Sequence, residues 1–155
     1  AVIAVDRGTK AIVDARMAVY ESITVIPGLF DLTYVRNPGG VFGLFRDLDT
    51  TVRGLLFTVV PVTAIALIAS YALRLPAGRL LTQSSLMLIL GGALGNLHDR
   101  FRYGYVIDFL DFYWRNHHWP AFNVADSAIC VGVAMLIGET LLGADRERSA
   151  AKDTP

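Results

Sequence analysis

The chain carries one cysteine, Cys130, among its 155 residues. A disulfide framework needs cysteines in pairs, so none staples this fold within the chain. Charge is scarce as well: Asp, Glu, Lys and Arg make up 18% of the residues, against about 25% in an average soluble domain. The 14 basic and 14 acidic side chains cancel, so no bulk field draws nucleic acid. Disorder is excluded from the other direction, because 54% of the residues are hydrophobic. There is no internal repeat and no low-complexity segment. The length is that of a single domain. Two classes survive, a small membrane protein and an unusually apolar soluble core.

The placement of charge separates them. Residues 54–73 and 80–97 contain no charged side chain, and residues 116–138 contain only Asp126. A hydrocarbon layer of about 30 Å takes roughly 20 residues of apolar helix. None of the three runs shows the polar stripe of an amphipathic soluble helix. A chain this short cannot wrap three such helices in other protein, so they read as membrane spans at about 54–73, 80–97 and 122–143. The N-terminus reads AVIAV before Asp6, Arg7 and Lys10. Five apolar residues are too few for a span or a signal peptide. They read as the end of a first span, about 1–20, that is cut short.

Residues 29–36, LFDLTYVR, alternate in polarity, and Asn37-Pro38-Gly39-Gly40 is a turn signal before VFGLF. This predicts a β-hairpin or small curved sheet over about 29–46. Residues 74–79 form a short loop that makes its flanking spans antiparallel. Residues 98–121 form a longer polar and aromatic connection on the same side as the hairpin. The tail from Ala144 is expected to fray. Lys and Arg counts on the two sides do not decide which is cytoplasmic, although Arg74 and Arg79 favour the short loop.

A carboxylate at membrane depth costs about 2.5–3.5 kcal/mol and marks function by default. Asp126 stands at the entry of the last span, with Asn123 one helical turn before it. A helix cap is the plain alternative for Asp126. Asp108 and Asp111 sit in the nearly apolar run YGYVIDFLDFYW, where they could equally be interfacial charges. Two carboxylates brought together at low dielectric share one proton. One can then activate water while the other donates to a carbonyl oxygen. Spacing leaves open whether Asp108 or Asp111 partners Asp126.

Other chemistries fit poorly. His98, His117 and His118 lack zinc-ligand spacing and read as interfacial polar groups. Ser127 has no GxSxG context, and Cys130 reads as packing within a span. In GGALGNLHDR, residues 91–100, Gly91, Gly92 and Gly95 suit close helix packing. Asn96, Asp99 and Arg100 crowd the end of the same span. There Arg100 either snorkels to the interface or holds a carbonyl or lipid head group.

Five segments in order carry a family resemblance: Asp6-Arg7-Gly8-Thr9-Lys10, Arg36-Asn37-Pro38-Gly39-Gly40-Val41-Phe42-Gly43, Gly91 to Arg100, Val106-Ile107-Asp108-Phe109, and Phe122-Asn123-Val124-Ala125-Asp126-Ser127-Ala128. Over almost its whole length the chain resembles lipoprotein signal peptidase (signal peptidase II), a family of aspartyl proteases of the bacterial cytoplasmic membrane. The resemblance implies four transmembrane helices, a small extracytoplasmic β-cradle and a short periplasmic helix. It implies that Asp108 and Asp126 form the catalytic pair. It implies that Asn37, Gly39, Asn96, Arg100 and Asn123 line the site and hold substrate, supported by Asp6, Lys10 and Asp99.

It implies no metal and no cofactor, a monomer, both termini in the cytoplasm, and an active site near the periplasmic face of the inner membrane. The implied substrates are prolipoproteins cut just before a diacylglyceryl-modified cysteine, in contact with membrane lipids. The implied inhibitors are globomycin and myxovirescin. Arg7 stands where the family often has Gln, and Gly40-Val41 where it often has two alanines. The competing readings are a small transporter, or a lipid-binding subunit that uses the same carboxylates.

Overall fold

The computed structural model of the chain describes residues 1–39 and 49–152. Helix α1, Val2–Arg16, opens the fold. Strands β1, Ser22–Ile26, and β2, Phe30–Asn37, follow, then the long helices α2, Thr50–Arg74, and α3, Leu80–Tyr103. Strand β3, Val106–Trp114, and the two-residue β4, His117–His118, lead into α4, Val124–Lys152.

Among the described residues, three helices are long and apolar enough to cross a membrane: Gly54–Arg74 within α2, all of α3, and Val124–Leu142 within α4. They coincide with the three charge-poor runs. Half of the most apolar window of α3 is buried, but none of that of α2. Val59, Val60, Leu67 and Tyr71 of α2 are left exposed, a surface that a soluble monomer does not tolerate and a bilayer does. Helix α2 starts on Asp49, whose side chain accepts from the Thr51 and Val52 amides.

Helix α1 departs from the expected first span. It ends at Arg16, before residue 20, and is not among the span-capable helices. Its Asp6, Lys10 and Val13 are buried, so charge faces inward, while Ile3, Val5 and Ile12 are exposed on its outer face.

Among the described residues the fold is mostly helical, with a four-stranded antiparallel sheet in the order β1-β2-β3-β4. Among them β2 belongs to a hairpin that the sequence reading did not place. Strand β2 pairs with β1 around Pro27-Gly28-Leu29, and Gly28 takes a φ of 79° there. Residues 41–45, the expected second strand, lie outside the described residues. So does the Gly40-Val41 pair. The second correction concerns residues 98–121. They are not a loose connection: α3 runs on to Tyr103, and the rest supplies β3, which lies between β2 and β4. No short separate helix occurs there or elsewhere among the described residues. Gly104 causes the switch, because its φ of 77° ends α3 with an amide bond back to the Arg100 carbonyl.

The pleat gives the sheet two different faces. Tyr34, Ile107 and Phe109 form a core with Val13 of α1. Behind them the Tyr34 hydroxyl donates to Asp14 and accepts from Arg36 Nε at 2.9 Å. Burial first, and then the bond to Asp14, push the Tyr34 phenol up to about 12. A bulge between Leu32 and Val35 resets the alternation and pairs Val35 with Asp108. Asn37 and Asp108 thereby reach the opposite face together.

Candidate active site

Helix α4 begins directly after Asn123, which is fully buried. The Asp126 amide donates to Asn123 Oδ1 at 3.0 Å, and the Asn123 amide donates to Asp126 Oδ2 at 3.2 Å. This is the reciprocal geometry of a capping box. The helix cap is therefore Asn123, and Asp126 sits two residues inside the helix. Asn123 has a second role, since its Nδ2 donates to Asp108 Oδ1 at 2.7 Å. One residue thus binds both carboxylates, with its backbone and its side chain.

Each carboxylate takes one more amide. Asn37 Nδ2 donates to Asp108 Oδ2 at 3.0 Å, and Asn96 Nδ2 to Asp126 Oδ1 at 2.7 Å. The orientation of both amides is fixed from behind. Asn37 Oδ1 accepts from the Gly39 amide at 2.9 Å, closing an Asx turn. Gly39 has a φ of 111°, and a Cβ there would lie 2.5 Å from the Phe57 ring. Asn96 Oδ1 accepts from Lys10 Nζ at 2.9 Å and from Asn123 Nδ2 at 3.1 Å. Only its nitrogen is left to face Asp126.

Lys10 is 3% exposed and spends its three donors inside the protein. Besides Asn96 they meet Asp6 at 2.9 Å and Asp99 at 2.8 Å. Asp6 also accepts from the Ala125 amide at 3.0 Å, in the first turn of α4. Asp99 accepts from the Ile107 amide at 3.4 Å, next to Asp108. The α3–α4 approach that permits this depends on small residues. A Cβ at Gly92 would collide with the Ala125 carbonyl, and one at Gly95 would lie 2.7 Å from Asp6 Oδ2.

The carboxylates line a cavity of about 480 Å³ with Asn37, Asn96 and Arg100. Phe57, Val106, Trp119, Phe122, Ser127 and Cys130 complete most of its wall. Asp108 is held by neutral amides in this apolar setting. Burial first, and then the charge of Asp126, push its carboxyl up to about 7. The Arg100 guanidinium lies 5.8 Å from the Phe57 ring centre and within electrostatic range of both carboxylates. Its Nε is buried without a hydrogen-bond partner among the described residues.

Asp111 points elsewhere, as a residue three places along a strand from Asp108 must. It binds His118 Nδ1 at 3.0 Å and the Thr33 hydroxyl at 3.2 Å. His117 and His118, read from the sequence as interfacial polar groups, make up β4 and are exposed there. Cys130 is exposed to the cavity rather than packed within a span. Sequence reasoning missed Phe57 and the Trp119–Phe122 wall. Nothing in a single chain links Phe57 to Arg100, whereas Ser127 and Cys130 could have been placed from their helical spacing to Asp126.

Three span-capable helices capped by a sheet, with paired carboxylates at their junction, define a membrane enzyme. Two solved structures described as bacterial membrane enzymes share the fold. One has a TM-score of 0.82 at 28% identity over 94% of this chain and 85% of its own, the other 0.79 at 29% over 90% and 87%. The family model for signal peptidase (SPase) II matches residues 1–142. The lipoprotein signal peptidase of Geobacter metallireducens is 49% identical over 149 residues, covering 96% of this chain and 89% of the relative. That of Geobacter sulfurreducens is 51% identical over 131 residues, covering 84% and 81%. The chain belongs to the signal peptidase II family, a family of proteases. Nothing in these comparisons supports a transporter or a lipid-binding subunit.

Proposed function

We propose that this membrane protease is an aspartic endopeptidase that removes the signal peptide from prolipoproteins just before the diacylglyceryl-modified cysteine. Asp108 and Asp126 are the catalytic pair. The observation that carries this reading is Asn123, which donates to both carboxylates and holds them on one cavity. With Asp108 raised to about 7, the pair keeps one proton near neutrality.

The ionised member takes a proton from water, and the water oxygen bonds to the scissile carbonyl carbon. The protonated member gives its proton to the carbonyl oxygen. Collapse of the tetrahedral intermediate breaks the C–N bond, and the amine leaves with a proton returned by the pair. Arg100, with its unpartnered Nε, and Asn37 offer donors to the substrate backbone or the lipid head group. Gly39 shapes that wall. Asp6, Lys10 and Asp99 hold Asn96 and the start of α4 in place.

We read α1 as part of a fourth membrane helix, and the sheet as a cradle on the extracytoplasmic side of the bacterial inner membrane. Membrane lipids and globomycin-type inhibitors then meet the same cavity, and a monomer is sufficient. The test is cleavage of a diacylglyceryl prolipoprotein in lipid, wild type beside Asp108→Asn and Asp126→Asn. Loss of cleavage in both folded variants is expected. Cleavage by either variant at the wild-type rate removes the pair from the mechanism.

A further inference from the structure

The segment between β3 and α4 folds back to form part of the cavity wall. Arg115 makes the reversal at a φ of 55°. Strand β4 then pairs Trp114 with His117 and Tyr113 with His118. From this point Trp119, Pro120, Ala121 and Phe122 all line the cavity. The backbone ties of this wall are Trp119 N to the Phe112 carbonyl, 2.8 Å, Phe122 N to the Leu110 carbonyl, 3.1 Å, and the Phe122 carbonyl, which accepts from the Phe109 and Leu110 amides at 3.0 and 2.8 Å. Pro120, between them, has no amide to give.

The side-chain anchor stands just before the wall. His118 Nδ1 lies 3.0 and 3.1 Å from the two Asp111 oxygens, and its ring stacks on Tyr113 at 4.8 Å. The anchor is itself fixed. Asp111 is 9% exposed and accepts from the Thr33 hydroxyl of β2, and the Tyr113 hydroxyl accepts from the Gly28 amide at 3.0 Å. Neither Asp111 nor His118 lines the cavity, so the pair touches the wall without touching the chemistry.

We propose that Asp111 and His118 form a clamp that positions the Trp119–Phe122 wall and thereby sets how tightly the cavity grips its substrate. The proposal rests on the proteolytic reading of the cavity. Both are positioning residues, and their contribution lies in KM. Nδ1 and an asparagine Nδ2 occupy the same place relative to the backbone, so His118→Asn keeps the donor to Asp111. His118→Gln carries its nitrogen one carbon too far. Asp111→Asn keeps an acceptor, whereas Asp111→Leu has none.

The chain has two tryptophans, so in a Trp114→Phe background Trp119 alone reports on the wall. In that background, acrylamide quenching of Trp119 should rise in His118→Gln and Asp111→Leu and stay at the parent level in His118→Asn and Asp111→Asn. KM for a diacylglyceryl prolipoprotein should rise about tenfold in the first pair, the loss of one hydrogen bond, with kcat within about twofold. The second pair should match the parent. Equal quenching and equal KM across all four variants overturn the clamp, as does a fall in kcat alone. If Asp126→Asn still cleaves, the proteolytic reading fails by itself, and the quenching series alone still decides the clamp.

Discussion

Lys10→Met removes a cation that lies 3% exposed between Asp6 and Asp99. Methionine fills similar space, so little cavity opens. What changes is charge: two buried carboxylates lose the counter-ion that both share, at 2.9 and 2.8 Å. Breaking a buried ion pair from one side costs about 3–5 kcal/mol, because the remaining charge is left uncompensated. At about 2–4 °C per kcal/mol for a chain of this size, the unfolding midpoint should fall by roughly 10 °C.

The structure also predicts the rescue. Asp6→Asn and Asp99→Asn keep carbonyl oxygens for the Ala125 and Ile107 amides while removing both charges. The triple variant should therefore recover at least half of the lost midpoint. The assay is thermal unfolding in detergent, followed by tryptophan emission, for wild type, single and triple variants. A single variant as stable as wild type would refute the argument. A triple variant no better than the single would refute it too, by showing that the loss was one of packing.

Four further outcomes follow from the site. Because Asp108 is raised to about 7, its protonated form is the one the fold favours. Stability should thus fall as pH rises from about 4 through about 7, and the midpoint of Asp108→Asn should lack that slope. The same ionisation should give kcat/KM an alkaline limb near pH 7, read from a pH–rate profile. Gly39→Ala meets both a φ of 111° and the Phe57 ring, so it should turn the Asn37 amide away from Asp108 and cut kcat about tenfold or more, measured at saturating substrate. Asn123→Ala loses the side-chain cap on the Asp126 amide and the side-chain donor to Asp108, while its backbone amide still reaches Asp126, and should cost about 2 kcal/mol or more of stability along with most activity, whereas a cap alone is worth about 1.

What could be read from the sequence was what depends on composition. Hydrocarbon demands long uncharged runs, and α2, α3 and α4 stand where those runs are. The carboxylates stood out because their neighbours are apolar. The sheet could not be read in the same way. Strand β3 has the sequence VIDFLDFYW, buried on both faces over its first half, so it lacks clean alternation. Without knowing that it is a strand, nothing says that Asp108 and Asp111 face opposite ways. Only the family resemblance chose between them at that stage. The pairing of β1 with β2 was hidden because β1 is exposed throughout and carries no burial pattern. The amide orientations of Asn37, Asn96 and Asn123 arise from partners far away in sequence.

The bond from the Ala125 amide to Asp6 spans 119 residues. It has a consequence in time. A chain threaded into a bilayer from its N-terminus makes α1 first and α4 last. Until α4 arrives, Asp6 lacks that amide, Asn96 has no Asp126 to face, and Asp108 has no Asn123 beside it. On the proposed role of Asp108 and Asp126, the pair cannot cut until α4 is in place.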